Sequence, residues 1–235
     1  MKNILTITRK ELVSYFTTPV AYIIIMVFLG ITGWYFTNEL FLNGVITMRV
    51  VFGVIPFIFV IFIPILTMRS FAEEKKIGTI ELLLTRPITD FDIIIGKFLA
   101  TLILTFFTLL PTVVYVITLS FLGPVDYGTI FAAYVGLVLM AGVYISIGIF
   151  TSSLTENQIV AAILSFLFIF ILYLLNYVLN YLPATIASIL QYISTSYHFA
   201  SIQRGVLDSR DIIYYLSGIT IFLFLTRLSL DKRKW

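Results

Sequence analysis

The chain has 235 residues, 60% of them hydrophobic and 11% charged, with mean hydropathy +1.06 and a formal net charge of +3. Soluble domains carry about 25% charged residues, so polar side chains are too scarce here to cover an apolar interior in water, and so small a basic excess gives no footprint for nucleic acid. The chain has no cysteine, which excludes disulfides, thiolate metal sites and thiol chemistry.

Residues 1–18 mix polar and apolar positions. Ile4, Leu5, Leu12, Tyr15 and Phe16 can share one helical face, with Lys10 and Glu11 turned away from it, and Pro19 is a natural stop. The pattern predicts an interfacial helix beside the first span, with a loosely ordered tail as the alternative. No cleavable signal is expected, because no A-x-A-like site follows a short apolar core. Six apolar runs then follow, at 20–37, 45–68, 91–122, 127–150, 159–182 and 212–230. Each approaches the roughly 20 residues needed to cross a bilayer. The expected fold is therefore all-α, a single six-span membrane domain over 1–235.

With both termini inside, 12 of the 15 basic residues face the cytoplasm, and only Arg49, Arg204 and Arg210 lie outside. Trp34, Tyr35 and Phe36, Tyr177 and Tyr181, and Tyr214 and Tyr215 then fall at outer edges, as an aromatic belt would.

The middles of the spans hold no Asp, Glu, Lys or His. A charge there costs at least ~2.5–3.5 kcal/mol and is kept mainly for ion or proton pathways. The pattern therefore argues against an ion-coupled pump and against an intramembrane hydrolase with paired carboxylates. Gly96-Lys97 has Phe91 where a P-loop needs its first glycine, so energy for any work must come from a partner. Pro56 and Pro64 in the second span, Pro111 in the third, and Asn176 and Asn180 in the fifth fit a kinked, partly polar pathway. They fit ordinary helix irregularity and interhelical hydrogen bonding equally, and that reading is favoured for each residue alone. Gly142 and Ser146 make a small-residue pair suited to helix packing.

The loop at 69–90 is the one sizeable inward segment. Ser70 and Glu73 have capping-box spacing, Thr89 and Asp92 repeat it, and Pro87 marks a stop. Between them Ile77, Ile80 and Leu84 share a face, while Glu73, Glu74, Lys75, Lys76 and Glu81 supply charge. Such an element suits docking into a groove on a soluble partner, or resting on lipid headgroups.

The same segment resembles the first cytoplasmic loop of ABC-2 type permeases, the membrane subunits of ATP-binding-cassette transporters. The shared features are the charged stretch Glu73, Glu74, Lys75, Lys76, then Gly78, Thr79, Glu81, Leu82 and Leu83, then Pro87. Residues 152–162, with Thr155, Glu156 and Asn157, resemble the family's second inward turn. Residues 196–216, with His198, Phe199, Arg204, Gly205, Asp208, Arg210 and Asp211, resemble its outer segment. The match is closest to the gliding-motility-type branch. The resemblance implies a coupling helix inserted into a separate ATPase, which would hold the ATP and Mg. It further implies an export pathway shared with a second permease subunit, and a bacterial or archaeal cytoplasmic membrane. An additional membrane subunit with a periplasmic domain and contact with membrane lipid are compatible partners. No cofactor is expected on this chain, and no catalytic or metal residue. The alternatives are an ATPase-driven scaffold doing mechanical work without cargo and, more remotely, a lipid-modifying membrane enzyme. In the outer segment, 182–211, Arg204 and Asp208 are spaced for a local helix pair, and His198 lacks a metal-ligand partner at helical spacing.

Overall fold

The structure, a computed structural model, describes residues 2–78, 89–181 and 183–231. All regular elements among them are helical. Helix α1 spans Lys2–Thr17. One residue later Pro19 occupies the first turn of α2, Pro19–Thr37, where its missing N–H costs nothing. Pro19 therefore starts a helix rather than merely stopping one. After a π-helical turn, Asn38–Leu42, the chain crosses to α3, Arg49–Thr67, and steps over Met68 into α4, Arg69–Ile77. Helix α5, Asp90–Leu109, tightens to a 3-10 turn at Leu110–Thr112, where Pro111 cannot donate to the α-ladder, and continues as α6, Val113–Leu122. Helices α7, Tyr127–Leu154, and α8, Gln158–Val178, are the fourth and fifth long elements. Two short helices, α9 at Ala184–Ile193 and α10 at Thr195–Ile202, lead to α11, Ser209–Asp231.

Among the described residues six helical stretches are long and apolar enough to span a membrane: Pro19–Leu42, Arg49–Ile77, Asp90–Leu122, Tyr127–Leu154, Gln158–Val178 and Ser209–Asp231. All six runs seen in the sequence reappear. The second differs most, since α4 continues it with only one intervening residue.

Helix α7 is the axis of the bundle. It packs against α3, α5, α8, α10 and α11, and Leu137, Met140, Ala141, Tyr144, Ile145 and Ile147 on it are fully buried. A helix buried on all sides must present small residues wherever a neighbour crosses closely. A Cβ added at Gly148 would lie 2.7 Å from the Thr67 Cβ, and one at Gly136 would lie 2.8 Å from an Ile202 methyl. At Gly142 the nearest atom is the tip of Ile219, so Gly142 serves packing, as expected. Pro56 and Pro64 are buried in the face of α3 that packs into the bundle.

The elements sort into two ends. One gathers α1, α4, the first turns of α5 and the last turns of α7 and α11. The other gathers the turns before α3 and α7 with α9, α10 and the start of α11. Gln203 donates to the Arg49 carbonyl at 2.8 Å across this second end. There Asp126 caps α7 through bonds from the Gly128 and Thr129 amides and the Thr129 hydroxyl, and these hold its carboxyl below the usual range.

The close crossings give a graded expectation. Gly148→Ala forces α7 and α3 apart and destabilises by ~1–3 kcal/mol. Gly142→Ala meets only a flexible methyl and gains helix propensity, so it stays within about 1 kcal/mol of wild type. Thermal unfolding of the two variants in mild detergent measures the difference.

Candidate functional site

From Arg69 to Gly78 the charged loop is described, and this part is bonded to α1, α5 and α7. Gly78 closes α4 with φ +75°, a conformation that suits glycine. At the near edge, Lys97 on α5 is only 3% exposed. Its ammonium lies 3.0 Å from Glu11 Oε1 on α1 and 2.8 Å from Glu74 Oε1 on α4. Lys10 adds a second positive charge at 3.9 Å from Glu11 and 3.8 Å from Glu74. The Phe71 ring lies 5.3 Å from the Lys97 ammonium.

Further bonds fix α1 on the bundle. The Thr8 hydroxyl donates to the Gly96 carbonyl at 3.2 Å, and the Tyr15 hydroxyl lies 3.2 Å from the Leu66 carbonyl and 3.1 Å from Thr101 Oγ1. Gly96 permits the contact, because a Cβ there would sit 2.7 Å from an Ile7 methyl. Burial raises the Tyr15 phenol above its ordinary value, so it stays protonated as a donor.

The other side of α4 is bound to the last turn of α7. Ser152 Oγ accepts from the Phe71 and Ala72 amides at 3.0 and 3.1 Å and donates to the Met68 carbonyl at 3.0 Å. The Lys75 ammonium donates to the Ser153 carbonyl, which also accepts from the Ser229 hydroxyl of α11. The turn between α7 and α8 lies beside it. The Asn157 side chain caps α8 through the Ile159 amide at 2.9 Å, Thr155 Oγ1 accepts from the Asn157 amide at 3.1 Å, and Glu156 is exposed.

Several sequence expectations are corrected here. Glu11 faces inward, at 17% side-chain exposure, while Leu5 is 66% exposed. The helical face of α1 is set by the countercharge on Lys97 rather than by apolar content alone. The Ser70–Glu73 capping box does not form. The chain does not unwind enough at Met68 for Ser70 to cap, the Ser70 hydroxyl has no hydrogen-bond partner among the described residues, and Ser152 supplies the cap instead. The Thr89–Asp92 box is present, with both bonds made. Ile77 is 64% exposed. Glu73 is half-buried and Lys76 exposed. Thr79, Ile80, Glu81, Leu82, Leu83, Leu84 and Pro87 lie outside the described residues.

The second end carries the rest. His198 Nδ1 is 2.6 Å from Asp211 Oδ1, and its Nε2 is 3.1 Å from the Tyr192 carbonyl. The imidazole stacks on Tyr214 at 3.9 Å between centroids. Both its ring nitrogens lie within hydrogen-bond distance of an oxygen. Tyr215 donates to the Thr195 carbonyl at 2.8 Å, and Tyr144 bonds Thr195 Oγ1 at 2.9 Å, which ties α10 to α11 and α7. Sequence spacing missed Asp211 as the partner of His198 because 13 residues and a turn separate them. The expected Arg204–Asp208 helix pair is not formed. Helix α10 ends at Ile202, Gly205 turns the chain at φ +89°, Arg204 bonds the Ala200 carbonyl, and Asp208 Oδ1 accepts from the Arg210 amide. Asn176 is half-buried in α8, and Asn180 falls in the 3-10 turn after it. Among the described residues no cluster of three metal-ligating side chains occurs.

The buried ion cluster predicts its own sensitivity. Lys97→Met leaves two carboxylates facing each other and destabilises by ~3–5 kcal/mol. Glu11→Gln keeps Glu74 as the partner and costs less, and Glu11→Gln combined with Lys97→Met recovers part of the loss. Unfolding in graded denaturing detergent, for all three variants, tests the order.

Compared with the curated proteins, the chain matches none. The family described as ABC-2 family transporter protein matches residues 5–226, nearly the whole chain. Its six apolar helices agree with that match. The chain belongs to the ABC-2 transporter family and is a multi-pass membrane permease of an ABC transporter.

Proposed function

We propose that this chain is the membrane half of an exporter driven by a separate ATPase. The end that gathers α1, α4 and the C-terminal turns of α11 faces the cytoplasm, as its basic residues favour. Residues 69–90 contact the ATPase there, with Glu73, Lys76, Gly78, Thr79, Glu81, Leu82 and Leu83 as the docking strip, Glu74 and Lys75 anchoring it to the bundle, and Thr155, Glu156 and Asn157 beside it. ATP and Mg are bound by that partner. Two permease copies, identical or paired with a homologue, flank the pathway, with the second and fifth spans lining it. The gliding-motility-type branch and a bacterial or archaeal inner membrane remain the closest setting.

The observation that supports this reading is the attachment of α4. One side of it is ion-paired to α1 and α5, and the other is hydrogen-bonded to α7. A pull on the loop is thus delivered to several spans together, and a rigid-body change of access follows. ATP-driven closure of the partner would supply the differential binding that such a switch needs.

Glu81→Arg and Leu83→Asp test the assignment. Both variants insert normally, retain at most about a tenth of the co-purified ATPase, and lose permease-dependent stimulation of hydrolysis. An order-of-magnitude loss corresponds to ~1.4 kcal/mol of docking energy. Wild-type recruitment and stimulation in both would overturn the docking strip.

A further inference from the structure

We propose that the cleft between α9, α10 and the start of α11 binds the headgroup of a phospholipid bearing a primary amine, of the phosphatidylethanolamine type. This inference does not depend on the ATPase-docking reading. The cleft holds about 450 Å³, within the usual range for small-molecule sites. It opens where the sixth span begins, at Ser209. Its flanks expose Ile189 and Ile193 on α9 and Ile213 and Leu216 on α11. A cleft at the first turn of a spanning helix, flanked by exposed apolar side chains, sits at headgroup depth with room for acyl chains alongside.

The lining carries both signs of charge, and His198 already pairs with Asp211. Arg210 is exposed and makes no ion pair among the described residues. A guanidinium in this position suits a phosphate oxygen pair. Asp208 uses Oδ1 for the local bonds from the Arg210 amide and the Ser209 hydroxyl. Asp211 is 6% exposed, spends Oδ1 on His198, and has Oδ2 without a hydrogen-bond partner among the described residues. Tyr192 and Tyr197 stand in the same wall.

An ammonium is the group that satisfies this set. It is attracted by tyrosine faces and by carboxylates, and a primary ammonium brings three N–H donors. The orphaned Asp211 oxygen needs a donor, since an unmet buried acceptor is costly. A choline headgroup has no N–H to give it, and a glycerol headgroup has no positive charge for the Asp208 carboxylate. The imidazole of His198 is already committed on both nitrogens, so it shapes the floor rather than binding.

The test uses the full chain, delipidated in mild detergent, with thermal unfolding followed during titration with dioleoyl phosphatidylethanolamine, phosphatidylcholine or phosphatidylglycerol. Phosphatidylethanolamine is expected to stabilise with a midpoint at least about tenfold lower than either other lipid. Arg210→Gln raises that midpoint about tenfold. Asp208→Asn, which can still cap α11, reduces the preference over phosphatidylcholine. Tyr192→Ala, removing an exposed ring, weakens ethanolamine binding without lowering the unfolding temperature of the lipid-free protein. Soluble O-phosphoethanolamine competes, whereas dioleoylglycerol does not. Equal midpoints for the three lipids, competition by dioleoylglycerol alone, or wild-type affinity in both Arg210→Gln and Tyr192→Ala would overturn the proposal.

Discussion

A lysine ammonium withdrawn from water near the base of the third span sets the geometry of one whole end of this protein. Burial of an unpaired ammonium costs several kcal/mol, and the cost is offset only by close, well-aligned countercharges. Lys97 obtains two of them, one from the N-terminal helix and one from the arm that follows the second span. The cluster therefore dictates which face α1 presents and how near α4 must lie. Lys10, spanning both carboxylates from the solvent side, balances the second acid. Three elements far apart in sequence are thereby made one body.

The central helix α7 connects that body to the opposite end. Its lower turns bond α4 through Ser152 and Ser153, and its middle bonds α10 through Tyr144. Gly148 lets α3, and Gly136 lets α10, come into direct contact with it. In a bilayer there is little hydrophobic drive between helices, so small residues and hydrogen bonds decide which helices associate. That is why the polar side chains of this chain, though few, concentrate at helix ends and crossings.

Much of the fold could be read from composition. Apolar length alone located six spans, and the Thr89–Asp92 spacing located the start of α5, because both signals are local. The failures share one cause, which is tertiary. Glu11 looked solvent-facing because its partner lies 86 residues away, and Ser70 looked like a cap because Ser152 was not visible as a rival. Lys97 read only as an inward basic residue at the start of the third span, and His198 as a histidine without a ligand partner, until folding supplied Glu11, Glu74 and Asp211. The docking proposal for residues beyond Gly78 rests on resemblance alone, since a charged amphipathic loop has the same pattern whether it meets a protein or lipid headgroups.

The borrowed cap of α4 bears on how the protein is made. A membrane protein is threaded into the bilayer from its N-terminus, and the hydroxyl that accepts the Phe71 and Ala72 amides lies 81 and 80 residues downstream. A nascent chain with only three spans inserted has the arm's sequence but not the acceptor that finishes its first turn. The element nearest the proposed motor contact thus acquires its final shape only after the fourth span has arrived, which delays a finished contact surface on half-made chains.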